Sequence, residues 1–430
     1  MDRIDLSNPK LAINGGNKIR EKSWADNITT GEEEKIALSR VIDSGYMSLF
    51  EGSHTPDAPF SFYGGPEVQA LENEWNEYYG SKYSVSVNSA TSGLYMAIGA
   101  LGIGYGDEVI VSPYTMSACA IAPMIYGAIP VFADVDDMGS LDPKSIKTLV
   151  SSRTKAILVV HQFGIPAQMD EIMEIANKYN LKVIEDCAQA HGAKYRGQYV
   201  GTIGNIGVFS LNVNKTIQSG EGGVCVTNDK DLHYRLALIR NHGEAVVEAA
   251  EYDDITNIAG FNYRMTELQA AVCRVQLDKL NGLNAERLKL VRQLNNGLRE
   301  FNFLAVPEER HGCESTYYVY PLKFFSEIAG IKREMFVEVV KAEGVDFSQG
   351  YVKPLYMQPV YQKKTLFKNG YPFSAIENKE CRMEYDLGIC KNAERLYFKE
   401  MIISEHIRLP NTKEDVSDVI NIIKKITRKL

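Results

Sequence analysis

A chain of 430 residues is long for a single hydrophobic core and favours one large domain with a smaller one beside it. Its 45% hydrophobic and 24% charged residues are ordinary for a soluble globular protein. The net charge of −8 is spread along the chain without a basic stripe beyond the tail IIKKITRKL, which argues against a nucleic acid partner.

The seven cysteines are odd in number, far apart and never spaced C-x-x-C, which argues against a disulfide framework and against a structural zinc site. The N-terminal stretch MDRIDLSNPKLAINGG has no apolar signal region. No stretch approaches the roughly 18 apolar residues that a membrane span needs. We therefore expect a soluble, cytoplasmic protein that holds no metal.

Valine- and isoleucine-rich runs alternate with helical patterns from YSVSVNS (83–89) to GGVCVTN (222–228). This alternation predicts a mostly parallel sheet covered by helices on both faces, in a large α/β domain over residues 31–270 that follows an N-terminal segment (1–30). The next stretch, from TELQAAV to NNGL, has apolar residues at helical spacing and predicts an interdomain helix over 271–299. Residues 300–430 mix short strands with helices and predict a small C-terminal α+β domain.

Polar residues at the carboxyl ends of the predicted strands are the candidates for chemistry, because ligands collect at this edge of a parallel sheet. The stretch SATS (89–92) precedes a helix and offers backbone N–H groups and hydroxyls to an anion, although an ordinary helix cap is the plainer interpretation. Glu185 and Asp186 follow an apolar strand, where a carboxylate is costly unless it is paired. A helix cap or a structural ion pair remains an alternative for these acids.

Two further strand ends carry His161 and Lys215. A lone histidine there is more often structural than catalytic, and most lysines are solvated. In combination, however, an anion cradle, a buried acid and a desolvated lysine are the parts that a pyridoxal phosphate enzyme needs. The cradle binds the phosphate, the acid keeps the pyridine nitrogen protonated, and the lysine forms the Schiff base.

The motifs also resemble the DegT/DnrJ/EryC1/StrS family of sugar aminotransferases, which are fold-type I pyridoxal phosphate enzymes. The resemblance covers nearly the whole chain. It is carried by the segments LAINGG, GEEE, VSVNSATSGLYMAIGALGIGYGDEVIVSPYT, TKAILVVHQFGIPAQMDEI, VIEDCAQAHGAKYRG, FSLNVNKTIQSGEGGVCVTND, NHG, GFNYRMTELQAA and PLYMQPVY.

The resemblance implies roles for matching residues. Lys215 is the expected Schiff-base lysine, and Asp186 is the expected partner of the pyridine nitrogen. The other cofactor contacts that it implies are Ala90, Thr91, Ser92, Met116, Gln189, Ser210 and Asn262. For the sugar we expect contacts from His161, Tyr46 and Tyr356. Because Asn262 matches a residue that reaches the phosphate of the neighbouring subunit, a homodimer with shared active sites is implied.

Two local features of the motifs stand out. The family uses GEGG (220–223) to turn the chain beside the cofactor and begin the next strand, which is the work of glycine where φ is positive or the backbone approaches closely. The sequence PYTMSA places Met116 where the family usually has an aromatic residue stacked on the cofactor ring. A thioether can also pack on an aromatic face, so we expect Met116 to keep that role.

The implied reaction transfers an amino group from L-glutamate to a keto or aldehydo sugar by ping-pong kinetics. Three alternatives fit the sequence less well. A dehydratase of this family replaces the lysine with histidine, a non-catalytic regulatory or binding protein would be expected to lose Lys215 or Asp186, and a nucleotide kinase would need the motif G-x-x-x-x-G-K-[ST], which does not occur.

Two features bear on which sugar accepts the amino group. The long chain and the extra polar-aromatic stretch FEGSHTPDAPFSFYGG (50–65) differ from what the commonest nucleotide-sugar members of the family have. The whole sequence also resembles family members that aminate an eight-carbon keto-sugar acid, an 8-oxo-3-deoxy-octulosonate, for lipopolysaccharide. The alternative acceptor is a dTDP- or UDP-linked 3- or 4-keto sugar.

Overall fold

The computed structural model describes residues 3–53 and 59–428, which form sixteen strands and thirteen α-helices. The strands are β1 (Arg3–Ile4), β2 (Tyr83–Val87), β3 (Glu108–Val111), β4 (Ile129–Phe132), β5 (Thr154–Val160), β6 (Lys182–Asp186), β7 (Lys194–Tyr195), β8 (Gln198–Tyr199), β9 (Ile206–Ser210), β10 (Gly223–Thr227), β11 (Leu304–Ala305), β12 (Cys313–Glu314), β13 (Tyr320–Phe324), β14 (Ser348–Gln349), β15 (Met401–Ser404) and β16 (Thr427–Arg428). The helices are α1 (Glu32–Asp43), α2 (Pro66–Tyr79), α3 (Ala90–Ala100), α4 (Ala118–Ile125), α5 (Pro143–Leu149), α6 (Met169–Tyr179), α7 (Lys230–Arg240), α8 (Glu267–Leu298), α9 (Ser326–Ala329), α10 (Arg333–Ala342), α11 (Pro359–Gln362), α12 (Lys391–Arg395) and α13 (Lys413–Ile426).

The central sheet has seven strands in the order β2-β10-β9-β6-β5-β3-β4. Strand β10 runs antiparallel to β2 and β9, and the other neighbouring pairs are parallel. The fold class predicted from the alternating strand and helix patterns, α/β with a large mostly parallel sheet, is confirmed. The strands are almost entirely buried, which is why their sequences read as continuous apolar runs.

Helices cover both faces of this sheet, and each face has its own hydrophobic core. One core combines strand side chains with α3, α4 and α7, and the other combines them with α2, α5, α6 and α8. Consecutive residues of a strand contribute to opposite cores, as Val183 and Ile184 do in β6. The two cores therefore hold the ends of these strands in place from both faces of the sheet.

Helix α8 is 32 residues long and begins at a capping box between Thr266 and Gln269. It packs against α1 and α2 near one end and against α13 near the other. Beyond it lies a four-stranded antiparallel sheet in the order β11-β13-β15-β14. The long helix therefore joins the large sheet to a second, smaller one.

All seven cysteines are buried, and none forms a disulfide. No α-helix among the described residues has both the length and the apolar character needed to cross a membrane. Of the stretch 50–65 that the sequence singled out, residues 54–58 lie outside the described part of the chain.

Candidate active site

A cleft of about 320 Å³ opens at the carboxyl ends of β6 and β9, between the large sheet and residues that follow α8. Most of the residues proposed from sequence to bind the cofactor line it: Ala90, Thr91, Met116, Asp186, Gln189, Ser210 and Lys215. Side chains from distant parts of the chain complete its wall, among them Tyr318, Tyr351 and Glu405. The cleft therefore brings the separate strand ends together.

The N-terminus of α3 forms one end of the cleft. Ser89 is the helix cap, and its Oγ accepts a hydrogen bond from the backbone N of Ser92 at 3.1 Å. Ala90 and Thr91 face the cleft, whereas the Ser92 hydroxyl donates to Asn88 Oδ1 at 2.7 Å and does not line it. Free N–H groups and the helix dipole make this end suited to an anion such as a phosphate.

Two glycines allow the chain to pass close to this end. A Cβ added at Gly223 would lie 2.8 Å from the backbone N of Ala90 and 2.8 Å from the carbonyl of Phe209. Gly220 has a φ of +81°, in the left-handed region that favours glycine. The GEGG motif thus turns the chain at Gly220 and lets β10 begin against α3, which is what the sequence predicted for it.

Asp186 lines the cleft at the end of β6 and is 5% exposed. Its Oδ1 accepts from the backbone N of Ala188 at 2.9 Å, and its Oδ2 accepts from the thiol of Cys119 at 3.0 Å. Burial, followed by the charge of Asp186, raises the pKa of Cys119 well above its usual value, so the thiol keeps its proton and acts as the donor. Both carboxylate oxygens are thereby held in place. Sequence reasoning missed Cys119, and no motif pointed to it.

Lys215 lies in the loop between β9 and β10, with its Nζ 4.6 Å from the centroid of the Tyr318 ring. Burial lowers the pKa of Lys215, and the carboxylates of Asp186 and Glu405 oppose that shift. A lower pKa increases the fraction of neutral amine at a given pH, and the neutral amine is the nucleophile. The lysine is therefore placed in surroundings that favour covalent chemistry.

Gln189 is hydrogen-bonded to Tyr351, a residue that follows α8 in the chain and also lines the cleft. Its Oε1 accepts from the backbone N of Phe163 at 2.8 Å, and its Nε2 donates to the Tyr351 hydroxyl at 2.8 Å. Burial raises the pKa of Tyr351 to about 12, which keeps this hydroxyl protonated near neutral pH. Tyr351 also has a φ of +118°, a strained value for a large side chain.

Met116 and Asn262 are the most exposed of the predicted cofactor contacts. Met116 lines the mouth of the cleft and is 62% exposed. Asn262 does not line the cleft, and its Oδ1 accepts from Nε of Arg264 at 2.8 Å. The stacking role of Met116 and the cross-subunit role of Asn262 remain predictions.

The expected sugar contacts need correction. His161 is completely buried: its Nδ1 accepts from the backbone N of Ala167 at 3.1 Å, and its Nε2 lies 3.0 Å from Glu185 Oε2. Because Nδ1 accepts, Nε2 carries the proton and donates to Glu185. Neither nitrogen is left for a substrate, so a substrate role for His161 is wrong, and its position at a strand end is structural.

Tyr356 is also completely buried, with its hydroxyl donating to Glu394 and its ring edge-on to Phe132. It does not line the cleft, so its prediction as a sugar contact is corrected as well. Tyr46 is 46% exposed and packs edge-on to Phe60 outside the cleft. Its role as a sugar contact remains a prediction.

Comparison with known proteins agrees with the arrangement of the cleft. The sequence profile described as the DegT/DnrJ/EryC1/StrS aminotransferase family matches residues 59–424. The chain belongs to this family. It is a pyridoxal phosphate-dependent aminotransferase, as the anion-binding helix end, the carboxylate and the lysine of the cleft led us to expect.

Its relatives include sugar and cyclitol aminotransferases. A putative L-glutamine:3-amino-2,3-dideoxy-scyllo-inosose aminotransferase of Micromonospora echinospora is 32% identical over 98% of both chains. The dTDP-3-amino-3,4,6-trideoxy-alpha-D-glucose transaminase of Streptomyces venezuelae is 33% identical over 76% of this chain and 80% of the relative. The aminotransferase from Psychrobacter cryohalolentis has a similar crystal structure, with a TM-score of 0.78 and 29% identity over 93% of this chain and 98% of that one.

The residues of the cleft fit pyridoxal phosphate. The α3 N-terminus would hold the phosphate, Asp186 would face the pyridine nitrogen, and Lys215 would bond to the cofactor aldehyde. The close approach of Gly223 to Ala90 leaves the backbone at this end free of side-chain bulk. The alternative of a family dehydratase with histidine in place of the lysine does not apply, since Lys215 lines the cleft.

Proposed function

We propose that this enzyme transfers an amino group from L-glutamate to the carbonyl carbon of a sugar, with Lys215 and Asp186 as its catalytic residues. The observation that carries the proposal is that both side chains line the same cleft as the N-terminus of α3. When bound, the cofactor supplies an electron sink that stabilises the carbanion formed at the substrate carbon.

The roles of the side chains follow from their surroundings. Asp186, held by Cys119 and Ala188, keeps a negative charge at one fixed position and so favours a protonated pyridine nitrogen opposite it. Lys215 Nζ, once displaced by the amino donor, moves a proton as general base and returns it as general acid. Burial favours the neutral form that the base requires by lowering the pKa of Lys215.

For the acceptor we propose 8-oxo-3-deoxy-octulosonate, which would give 8-amino-3,8-dideoxy-manno-octulosonate for lipopolysaccharide. Its support is the overall sequence resemblance, the length of the chain and the extra stretch at 50–65. A nucleotide-linked keto sugar is the second candidate. It is favoured by the names of two relatives, the dTDP-sugar transaminase and a GDP-perosamine synthase of Escherichia coli O157:H7 that is 34% identical over 70% of this chain.

We further propose that the enzyme works as a homodimer with shared sites. Asn262 supports this, since it is exposed and lies outside the cleft of its own subunit. The same applies to Tyr46, whose half-exposed ring pairs with that of Phe60. In a dimer, both side chains would be available to a second cleft.

The function is tested with the purified protein and pyridoxal phosphate. Borohydride should fix the cofactor covalently to the wild-type chain, and L-glutamate should shift the absorbance of the bound cofactor before any acceptor is added. L-Glutamine is assayed beside it because several relatives are named for that donor. A chain that traps no cofactor and responds to neither donor would contradict the proposed function.

The acceptor is tested by mass spectrometry of the products from an 8-oxo-3-deoxy-octulosonate, a dTDP-linked keto sugar and scyllo-inosose. We expect amination of the octulosonate with the highest kcat/KM. Preferential amination of either other compound would overturn the proposed acceptor while leaving the aminotransferase activity intact.

A further inference from the structure

A segment near the N-terminus, residues 19–31, runs from the small sheet's side of the molecule to the loop that carries Lys215. At its beginning the backbone N of Arg20 donates to the carbonyl of Glu343 at 3.0 Å. The Arg20 guanidinium is buried and binds Asp415 at 2.7 Å and Asp418 at 3.0 Å. A buried cation with two carboxylate partners anchors this end of the segment firmly.

The middle of the segment packs against residues next to the cleft. The Trp24 ring is stacked on His406, with centroids 5.0 Å apart and planes within 3°. The backbone N of Ala25 donates to Asn411 Oδ1 at 3.0 Å. Glu405, which precedes His406 in the chain, lines the cleft together with Lys215. The segment therefore packs against the stretch of chain that forms this part of the cleft wall.

The segment then reaches the catalytic loop itself. Nδ2 of Asn27 donates to the backbone carbonyl of Lys215 at 3.2 Å. Two residues later, Thr29 exchanges hydrogen bonds with Gln276 of α8: its Oγ1 donates at 2.8 Å, and its carbonyl accepts at 2.9 Å. Asn27 is therefore held between Trp24 on one side and Thr29 on the other, and its amide has a fixed position from which to hold the loop.

Other hydrogen bonds also hold this loop, among them one from Nη1 of Arg287 to the Thr216 hydroxyl at 2.7 Å. The backbone N of Lys215 donates to the carbonyl of Asn212 within the loop at 2.9 Å, and Arg408 reaches the carbonyl of Asn214 only at 3.5 Å. Val213 and Asn214 are exposed. The hydrogen bond from Asn27, at 3.2 Å, is the shortest of the three side-chain bonds to the loop backbone at residues 214 and 215.

We propose that Asn27 is a positioning residue for Lys215: it holds the main chain of the lysine, so that Nζ keeps its place in the cleft during the proton transfers. Through Trp24 and His406, the same segment ties the lysine to the Glu405 side of the cleft. The inference rests on the proposed function, in which Lys215 bonds the cofactor.

The test compares Asn27→Ala and Asn27→Asp with the matched control Asn14→Asp in the cofactor-loaded enzyme. Asn14 lies upstream of the segment and also donates through Nδ2 to backbone carbonyls, but those belong to Leu6 and Asn8 and not to the Lys215 loop. Asn27→Ala loses the hydrogen bond. Asn27→Asp has the same shape but places a carboxylate oxygen against the Lys215 carbonyl, so its effect should be larger.

We expect Asn27→Ala to lower kcat about 3- to 10-fold, the factor that one hydrogen bond provides, with little change in the KM for the donor. Asn27→Asp should lower kcat further, and Asn14→Asp should match the wild type. The pH at which the absorbance of the lysine-bound cofactor changes should move in both Asn27 variants, because the position of Nζ relative to Asp186 and Glu405 changes. A purely structural role would leave that pH unchanged.

Borohydride trapping separates this inference from the proposed function. If the wild type traps the cofactor and both Asn27 variants keep its kcat and its spectral pH profile, Asn27 does not position the lysine and the inference is overturned. If the wild type traps no cofactor, the proposed function fails. Equal losses in Asn27→Asp and Asn14→Asp would also overturn the inference, since they would show a general effect on the N-terminal segment.

Discussion

At the scale of single residues, the cleft works by controlling which groups are charged. Burial lowers the pKa of Lys215, while Cys119 and the backbone of Ala188 hold the two oxygens of Asp186 in place. The Cys119 thiol beside Asp186 stays neutral because burial raises its pKa. The cleft thus offers a base and a carboxylate, and a buried neutral thiol outside its lining holds that carboxylate in place.

Replacement of Lys215 by alanine should abolish amino transfer while leaving the fold intact, because the covalent anchor and the proton carrier are the same atom. Steady-state turnover with added pyridoxal phosphate measures the loss, and circular dichroism checks the fold. Lys178→Ala, on the surface of α6, is the matched control and should keep wild-type turnover. Turnover by Lys215→Ala near the wild-type rate would refute the assignment.

Replacement of Asp186 by asparagine should lower kcat by a factor on the order of 10² to 10⁴, the contribution of one well-placed catalytic group. The amide has nearly the same shape but cannot hold a negative charge opposite the pyridine nitrogen. Its NH₂ group would also face a donor, either the Cys119 thiol or the Ala188 N–H. Single-turnover kinetics with L-glutamate measure the chemical step, and a rate within a few-fold of wild type would disprove the role.

Polar residues after apolar strands made Lys215 and the pair Glu185–Asp186 candidates, and the resemblance to the family then selected Lys215 and Asp186 from them. The same reasoning placed His161 in the site wrongly, since a strand end does not reveal whether its side chain faces the cleft or the interior. In β6, Asp186 faces the cleft while its neighbour Glu185 faces the opposite side. Tyr351 reaches the cleft from 162 positions beyond Gln189, and no local pattern indicates such a contact.

At the scale of elements, Glu185 fastens the end of β6 to the loop that precedes β9. Its carboxylate accepts from the backbone N of Gly201 at 2.7 Å, of Ile203 at 2.8 Å and of Gly204 at 2.6 Å, in addition to His161. A fully buried carboxylate is tolerable only because its oxygens are so completely paired. This pairing fixes the end of β6 to the loop before β9 and, through His161, to the end of β5.

Glu185→Gln should therefore destabilise the protein by about 3 kcal/mol or more, since an amide turns its NH₂ group towards backbone N–H donors. Urea unfolding with saturating cofactor measures the change. Glu174→Gln, exposed on α6, is the control and should change stability by no more than about 0.5 kcal/mol. Equal stability of the two variants would show that the buried pairing is not needed.

The elements themselves were predicted with uneven success, for physical reasons. Helix α8 (Glu267–Leu298) was predicted over 271–299, because its apolar spacing persists over many turns, although the prediction missed its first turn. The two-residue strands β7, β8 and β12 were not predicted, since segments so short carry no periodicity. Their pairing in one three-stranded sheet depends on residues far apart in the chain.

At the scale of the whole molecule, acid should weaken the fold through His191. Burial, and then the positive charge of Lys215, lowers the pKa of His191 to about 3 from its usual 6.5. Between these two values the unfolded chain binds a proton that the folded chain does not. The contribution of His191 to the free energy of unfolding is therefore fully present above pH 6.5 and is lost progressively as the pH falls towards 3.

The free energy of unfolding should fall between pH 7 and pH 5 by about 2 kcal/mol more in the wild type than in His191→Phe, each measured against its own value at pH 7. Urea unfolding at the two pH values, with saturating cofactor, gives the comparison. His311→Phe, at an exposed position, should behave like the wild type. A pH dependence of His191→Phe equal to that of the wild type would contradict the effect of burial.

The proposed dimer is tested by mixing two inactive variants, Lys215→Ala and Asn262→Asp. If sites are shared, one site of a mixed dimer collects both defects and the other collects neither, so activity should partly return after the subunits exchange. Turnover before and after exchange measures this. Mixed dimers as inactive as their parents would show that Asn262 acts within its own subunit.

The seven buried cysteines have a practical consequence for measuring motion in this protein. A thiol reagent can reach such side chains only when the surrounding structure opens, so the rate of labelling reports the frequency of opening. The labelling rate of Cys119 would report openings beside the cleft. The labelling rate of Cys390, which directly precedes α12, would report openings in the part of the chain that follows α8. The native cysteines thus serve as internal probes of local opening. A single cysteine added on the surface would react selectively with a dye or a solid support, because the native thiols are buried.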